Sequence, residues 1–292
     1  MRGAAVTLFY LFCAVVFGIS LSWLLMPWLH GVLGLPAEKV LSRSILLVAA
    51  AGLVLLWRWA GLSAAALGLW PAPRQPWLKA YLLALLAILP PMLFFLAVGF
   101  RVPDPDTMIF STAFAQFLAV ALLGSCLLSV FEETLFRGVL YTYLLSHHGV
   151  LIAGLVSSLL YAVVHFVEPD GGAHLLVDGA WVGGWRYTGA ALAGLFQPSL
   201  YWDSFLSLFM LGVLFAYLRH EYGLWTSIAC HAAWVFALRL FKELTARDIL
   251  NSYQPWTGSF DNFMGHLVTV WLLLLLLVLA RHSGRFQRLP GG

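Results

Sequence analysis

Charge is scarce in this sequence. Asp, Glu, Lys and Arg make up only 10% of its 292 residues, where a soluble domain carries about 25%. That shortage excludes a water-solvated surface over most of the chain and leaves no room for a separate soluble domain. The net charge of +3 is too small and too scattered for a nucleic-acid partner. Cysteine is sparse as well. Cys13, Cys126 and Cys230 all lie in apolar runs with no C-x-x-C, so neither a disulfide framework nor a cysteine zinc site is expected; they read as small buried hydrophobes. No H-E-x-x-H and no internal repeat occurs. The first apolar run, to about Trp28, is too long for a signal h-region and lacks a small-residue cleavage site, so it reads as a first crossing.

What is present is hydrophobicity, at 62% of residues. Eight apolar segments stand out, at about 4–28, 44–60, 78–100, 112–145, 150–167, 203–219, 224–241 and 263–281. The expected fold is all-α, a polytopic transmembrane bundle of about eight helices forming one integral membrane domain over 1–292. Pro90-Pro91 should bend the third helix. The segment 112–145 would extend about 50 Å as one helix, so it must tilt, break or protrude. The stretch 61–77 reads as an interfacial connector. The stretch 168–202, with its Gly-Gly pairs and aromatics, reads as an interfacial or re-entrant loop. Eight crossings put both termini on one side, and the sixteen Lys and Arg then divide nine to seven in favour of that side. The bias points to cytoplasmic termini. The compact form points to a bacterial inner membrane.

Glu132 and Glu133 fall inside an apolar helix, LLGSCLLSVFEETLFRGVLYTYLL. An ionised side chain at membrane depth costs about 2.5–3.5 kcal/mol or more, so an adjacent pair needs a reason. Glu133 and Arg137 are spaced i, i+4 with the acid first, the favourable order for an ion pair. Glu132 lies about 100° around the helix and presents another face. One carboxylate is neutralised and the other is left for chemistry, suited to act as a general base on water. A buried structural ion cluster or a transporter proton site is the plain alternative. His165 ends the run LVSSLLYAVVH. A short turn at His147-His148-Gly149 should pair the two segments antiparallel, which brings Glu132 and His165 to nearly the same depth. Tyr161 shares the face of His165. His231 enters the membrane from the side of Arg137 and shares its face with Ser227. The other histidines sit at segment ends or in loops, where interface residues are expected.

In order along the chain, Glu132-Glu133-Thr134-Leu135-Phe136-Arg137 resembles the EExxxR motif of the CPBP family, the CAAX-protease and bacteriocin-processing membrane proteins also called Abi. Tyr161-Ala162-Val163-Val164-His165 resembles its FxxxH motif, with Tyr for Phe. His231 resembles the start of its HxxxN/D motif. The resemblance covers roughly 110–240, the motif-bearing protease core. It implies a glutamic intramembrane protease whose cavity opens to the cytoplasm. In it Glu132 would activate water, with Glu133 and Arg137 as the supporting pair. His165 would assist the water or leaving group, and His231 would bind the developing oxyanion. One position departs: Val235 stands where the family has Asn or Asp, and valine donates no hydrogen bond. Either Ser227 or Trp234 supplies the missing donor, or the chain is a divergent or inactive member. The retained Glu and His positions favour activity.

The expected function is an endopeptidase cutting membrane-anchored peptides or proteins near a terminus, such as a C-terminal sorting or maturation signal, in the lipid bilayer and without a cofactor. Three alternatives stand beside it. The first is a zinc enzyme of the same fold, with one carboxylate and two histidines as ligands. The second is a non-catalytic membrane peptide-binding protein. The third is an ion-coupled transporter using the glutamates.

Overall fold

The computed structural model describes residues 2–70, 77–166, 176, 180–194, 198–259 and 261–282. The chain is an all-α, polytopic integral membrane protein. Six helical stretches among the described residues are long and apolar enough to cross a bilayer: Leu8–Leu29, Ala37–Trp59, Trp77–Ala97, Thr112–Val164, Trp202–Tyr222 and Leu224–Leu244. A seventh apolar helix, His266–His282, is shorter. Helices satisfy their own backbone polar groups, which lipid cannot do. Large apolar side chains such as Phe9, Phe12, Phe17, Leu82, Leu86, Leu123 and Leu127 face outward, as helices solvated by lipid require.

Two of the eight expected segments, 112–145 and 150–167, fall in the single stretch Thr112–Val164. As one straight helix its 53 residues would measure about 80 Å, against a hydrocarbon core of about 30 Å. It is interrupted twice. Helix α5 (Thr112–Glu133) starts at Ser111, whose side-chain oxygen accepts the Phe114 N–H at 3.1 Å, an N-cap. Beyond Glu133 the backbone turns π-helical over Thr134–Leu140. Helix α6 (Tyr141–Val164) then breaks at Gly149, with φ 79° and ψ 172°, a conformation glycine adopts without steric cost. The expected turn at 147–149 therefore lies at its glycine.

The chain divides into two compact units, each discontinuous in sequence: Met1–Ser63 with Val139–Leu200, and Ala64–Gly138 with Tyr201–Gly292. In the first, α1 (Arg2–Leu29) packs on α2 (Ala37–Trp59), and α7 (Ala180–Gly194) packs on both. Gly18 permits the α1–α2 approach, because a Cβ there would sit 2.5 Å from the Ile45 Cα. The Tyr10 hydroxyl donates to the Ala49 carbonyl across the same contact. Ile19, Leu41, Leu176 and Tyr187 form the core.

Helix α7 corrects the reading of 168–202 as a loop. No proline interrupts 180–194, and Gly184 serves as a packing residue, since a Cβ there would come within 2.9 Å of Ile19 Cγ2. Small residues at such contacts are how membrane helices approach closely. The remainder of that stretch at 167–175, 177–179 and 195–197, and connector residues 71–76, lie outside the described residues.

In the second unit, α4 (Trp77–Ala97) and α5 pack against α9 (Leu224–Leu244). Helix α4 continues through Pro90 and Pro91. A two-stranded antiparallel ladder, β1 (Arg101–Pro103) on β2 (Thr245–Arg247), ties the ends of α4 and α9 together. Helix α10 (His266–His282) joins α4, where the Trp271 indole N–H donates to the Ala87 carbonyl at 2.7 Å. Helix α8 (Pro198–Tyr222) begins five residues before the expected segment at 203, and a short helix α3 (Ala64–Leu67) lies within the expected connector.

Candidate active site

The two glutamates occupy different surroundings. Glu133 is wholly buried. Its Oε1 lies 3.0 Å from Arg137 Nη1 and 3.0 Å from His231 Nδ1. Its Oε2 accepts from the Ser227 hydroxyl at 2.5 Å. A carboxylate removed from water is tolerated when it is paired and hydrogen-bonded in this way. Glu132 is partly open, with 16% of its side chain exposed. Its Oε2 is buried, has no hydrogen-bond partner among the described residues, and lies 3.8 Å from His231 Nε2. That distance is too long for a direct hydrogen bond and short enough for one water to touch both atoms.

The turn after Glu133 positions the supporting arginine. A π-helical turn adds a residue to the loop closed by each backbone hydrogen bond and commonly marks functional sites. Here it carries Arg137, which is 0% exposed. Its guanidinium bonds Glu133 and donates through Nη2 to the Gly212 carbonyl of α8 at 3.0 Å. It also lies over the Phe136 and Phe215 rings, at 5.8 Å and 5.4 Å from their centroids. Arg219 Nε donates to the Arg137 carbonyl at 3.2 Å, and its Nη2 to the Ala66 carbonyl at 3.1 Å.

His231 bridges the two acids. Its Nδ1 faces Glu133 Oε1, and its Nε2 is turned toward Glu132. Phe215 stacks on the imidazole at 4.7 Å and 24°, holding its plane. Ser227, 2.5 Å from Glu133 Oε2 and 3.1 Å from the Phe215 carbonyl, has one proton to give and two acceptors competing for it. Trp234 is 1% exposed, and its indole N–H has no acceptor among the described residues.

Glu132, Glu133, Arg137, Ser227, His231 and Trp234 all belong to the second unit; Tyr161 and His165 belong to the first. His165 Nδ1 lies 2.7 Å from the Tyr161 carbonyl, one turn back in α6. A carbonyl only accepts, so this nitrogen donates and Nε2 remains the basic one. The Tyr161 ring meets the imidazole edge-on at 4.5 Å. Sequence reasoning missed Phe215, Gly212 and Arg219 of α8. Arg219, near the end of an apolar run, was the one available signal; an aromatic or a glycine in such a run carries none. Among the described residues no three or more His, Cys, Asp or Glu side chains are grouped to hold a metal ion.

Residues 114–237 match the family model described as Type II CAAX prenyl endopeptidase Rce1-like, consistent with the CPBP resemblance. The match takes in Glu132, Glu133, Arg137, Tyr161, His165, Ser227, His231 and Trp234, and leaves the residues on either side outside it. No curated protein and no solved structure gives a significant match.

Proposed function

We propose, from the match of residues 114–237 to the Rce1-like family model, that this membrane protein is an intramembrane endopeptidase in which Glu132 activates the attacking water. The observation that carries the reading is the buried, unpartnered Glu132 Oε2 facing His231 Nε2 at 3.8 Å, beside a second acid already committed to Arg137.

A water seated between Glu132 and His231 donates one proton to the carboxylate. Its oxygen forms the new bond to the scissile carbonyl carbon, and the proton moves to Glu132. The C=O π pair moves onto the carbonyl oxygen. When the tetrahedral centre collapses, the C–N bond breaks and the proton passes from Glu132 to the leaving amine, giving a carboxylic acid and an amine. Glu133 accepts a hydrogen bond from His231 Nδ1–H and so fixes which ring nitrogen faces the water. Arg137 holds Glu133 in place through their 3.0 Å contact. His165 is assigned an assisting role on its motif, with Nε2 as the nitrogen available for it. The substrate class is a membrane-anchored peptide or protein cut near a terminus, a C-terminal sorting or maturation signal among them. The setting is a bacterial inner membrane with cytoplasmic termini, and the reaction is metal-free.

The test is cleavage of an S-prenylated, internally quenched peptide by the full chain in nanodiscs. Glu132→Gln should lower the rate by about 10²–10⁴-fold, the scale of a general base, while the protein elutes and melts as the wild type does. A chelator should leave the wild-type rate unchanged. Wild-type cleavage by Glu132→Gln would refute the assignment, and zinc-reversed loss on chelation would favour a metal site.

A further inference from the structure

The ends of α4 and α9 meet at the β1–β2 ladder, and α5 leaves the same end of the second unit at Thr112. Glu132 lies about 30 Å further along α5, so this end is remote from the candidate active site. The register sets Arg101 directly across from Arg247. Residues directly opposite in an antiparallel pair share a face, with Cβ atoms about 4.5–5.5 Å apart, and like charges there are destabilising. Neither arginine has a carboxylate within ion-pair distance among the described residues. The neighbouring Asp261 is committed elsewhere. Its Oδ2 takes Lys242 Nζ at 3.1 Å, and its Oδ1 accepts the Phe263 and Met264 N–H groups. Arg247 donates to the neutral Asn262 Oδ1.

Arg101 is only 7% exposed. A guanidinium has five N–H donors. Here Nη1 donates to the Thr245 carbonyl at 3.0 Å, where α9 ends, and to Thr245 Oγ1 at 3.4 Å. The group also lies over the Phe241 ring, 5.7 Å from its centroid. These contacts fix where the side chain sits and leave its charge without a counter-ion. Nε is buried with no partner among the described residues. Burial, and then the charge on Arg247, push the guanidinium down from its ordinary value. A buried charge persists only when it is paired, so the pair suits an anion supplied from outside the chain.

The surroundings indicate which anion. Phe110, immediately before the N-cap of α5, is 99% exposed, and Leu250, three residues after Arg247, is 89% exposed. Met108, Ile109, Ile249 and Trp256 are exposed in the same two connections. Such surface is unfavourable in water and suits the boundary between headgroups and acyl chains. These connections join the ends of spanning helices, which is the depth of lipid phosphates. We propose that Arg101 and Arg247 hold the phosphate of an anionic phospholipid, whose acyl chains lie against the exposed apolar residues of 108–110 and 249–250. The bound headgroup supplies the missing counter-charge and fastens the ladder that joins α4 to α9. Phosphatidylcholine carries the same phosphate but brings a choline cation to a pair that is already positive.

The test needs no peptidase activity, so it stands or falls apart from the proposed function. The full chain is melted in nanodiscs of phosphatidylcholine and of phosphatidylglycerol, and bound phosphatidylglycerol is counted by native mass spectrometry. The wild type should melt about 2–4 °C higher in phosphatidylglycerol. Arg247→Gln, at an exposed position, should lose about half of that increment and hold the lipid about fivefold more weakly. Arg101→Gln should lose nearly all of it; if that variant does not fold, Arg247→Gln decides alone. Arg43→Gln removes an exposed arginine of α2 and should keep the full increment. An increment that survives Arg247→Gln would overturn the proposal. So would an equal drop in Arg43→Gln, which would mean a general effect of surface charge. A matching rise on adding inorganic phosphate to phosphatidylcholine nanodiscs would also overturn it, since the site would then serve a free anion.

Discussion

Glu133 divides its two oxygens among Arg137, His231 and Ser227, while its neighbour Glu132 keeps one oxygen unpartnered. The difference is geometric. A rotation of about 100° between consecutive residues turns one carboxylate toward the arginine of the following turn and the other toward the far side of the imidazole. Under the proposed mechanism the committed pair is structural and the uncommitted acid is chemical. Glu133→Gln leaves the Arg137 guanidinium buried at 0% exposure without its counter-charge, so it should destabilise the protein by about 3–5 kcal/mol, read as a shift in detergent unfolding. Equal stability would show that the Gly212 carbonyl and the flanking rings suffice for Arg137. The i, i+4 spacing of Glu133 and Arg137 made their pairing readable in the sequence. The contact of His231 with both acids was not readable, because it depends on the α5–α9 register. Phe215 was silent for another reason: its role comes from lying between Arg137 and His231, and its letter is one more aromatic in an apolar run.

Elements are set here by small residues and local breaks more than by amphipathic pattern, since lipid and core are both apolar and the hydrophobic stripe loses its contrast. That is why the hydropathy of the chain marked where spans lie and misjudged how they end. The π-helical turn at Thr134–Leu140 gave no signal in composition, although the excess length of 112–145 required some interruption. The glycines of 168–202 suggest a loop in the sequence, whereas Gly184 is where α7 meets Ile19 of α1. Gly18 tests the same logic. An added Cβ would meet the Ile45 Cα at 2.5 Å, a backbone contact that side-chain rotation cannot relieve. Gly18→Ala should therefore cost about 1–3 kcal/mol by overpacking, seen as earlier unfolding of the first unit by hydrogen exchange in α1 and α2. Unchanged protection would mean that α1 and α2 are free to separate at no cost.

At the scale of the whole molecule, the number of crossings depends on one short helix. Helix α10 has 17 residues and spans about 26 Å at 1.5 Å per residue, slightly less than the hydrocarbon core, a mismatch that local thinning accommodates. Counting it, and counting Thr112–Val164 as two passes divided at Gly149, gives the eight crossings expected from hydropathy, an even number, as the proposed cytoplasmic placement of both termini requires. Reporter fusions at the two ends should give the same cytoplasmic signal; opposite signals would remove a pass. The proposed chemistry rests on Glu132 delivering a water to a peptide carbonyl within this membrane-embedded frame. Single-turnover cleavage in H₂¹⁸O, with the new terminus weighed by mass spectrometry, tests that step most directly. The account predicts one ¹⁸O atom in the new carboxyl group from the wild type and no product from Glu132→Gln. A new carboxyl without ¹⁸O, or labelled product formed by Glu132→Gln at the wild-type rate, would contradict it.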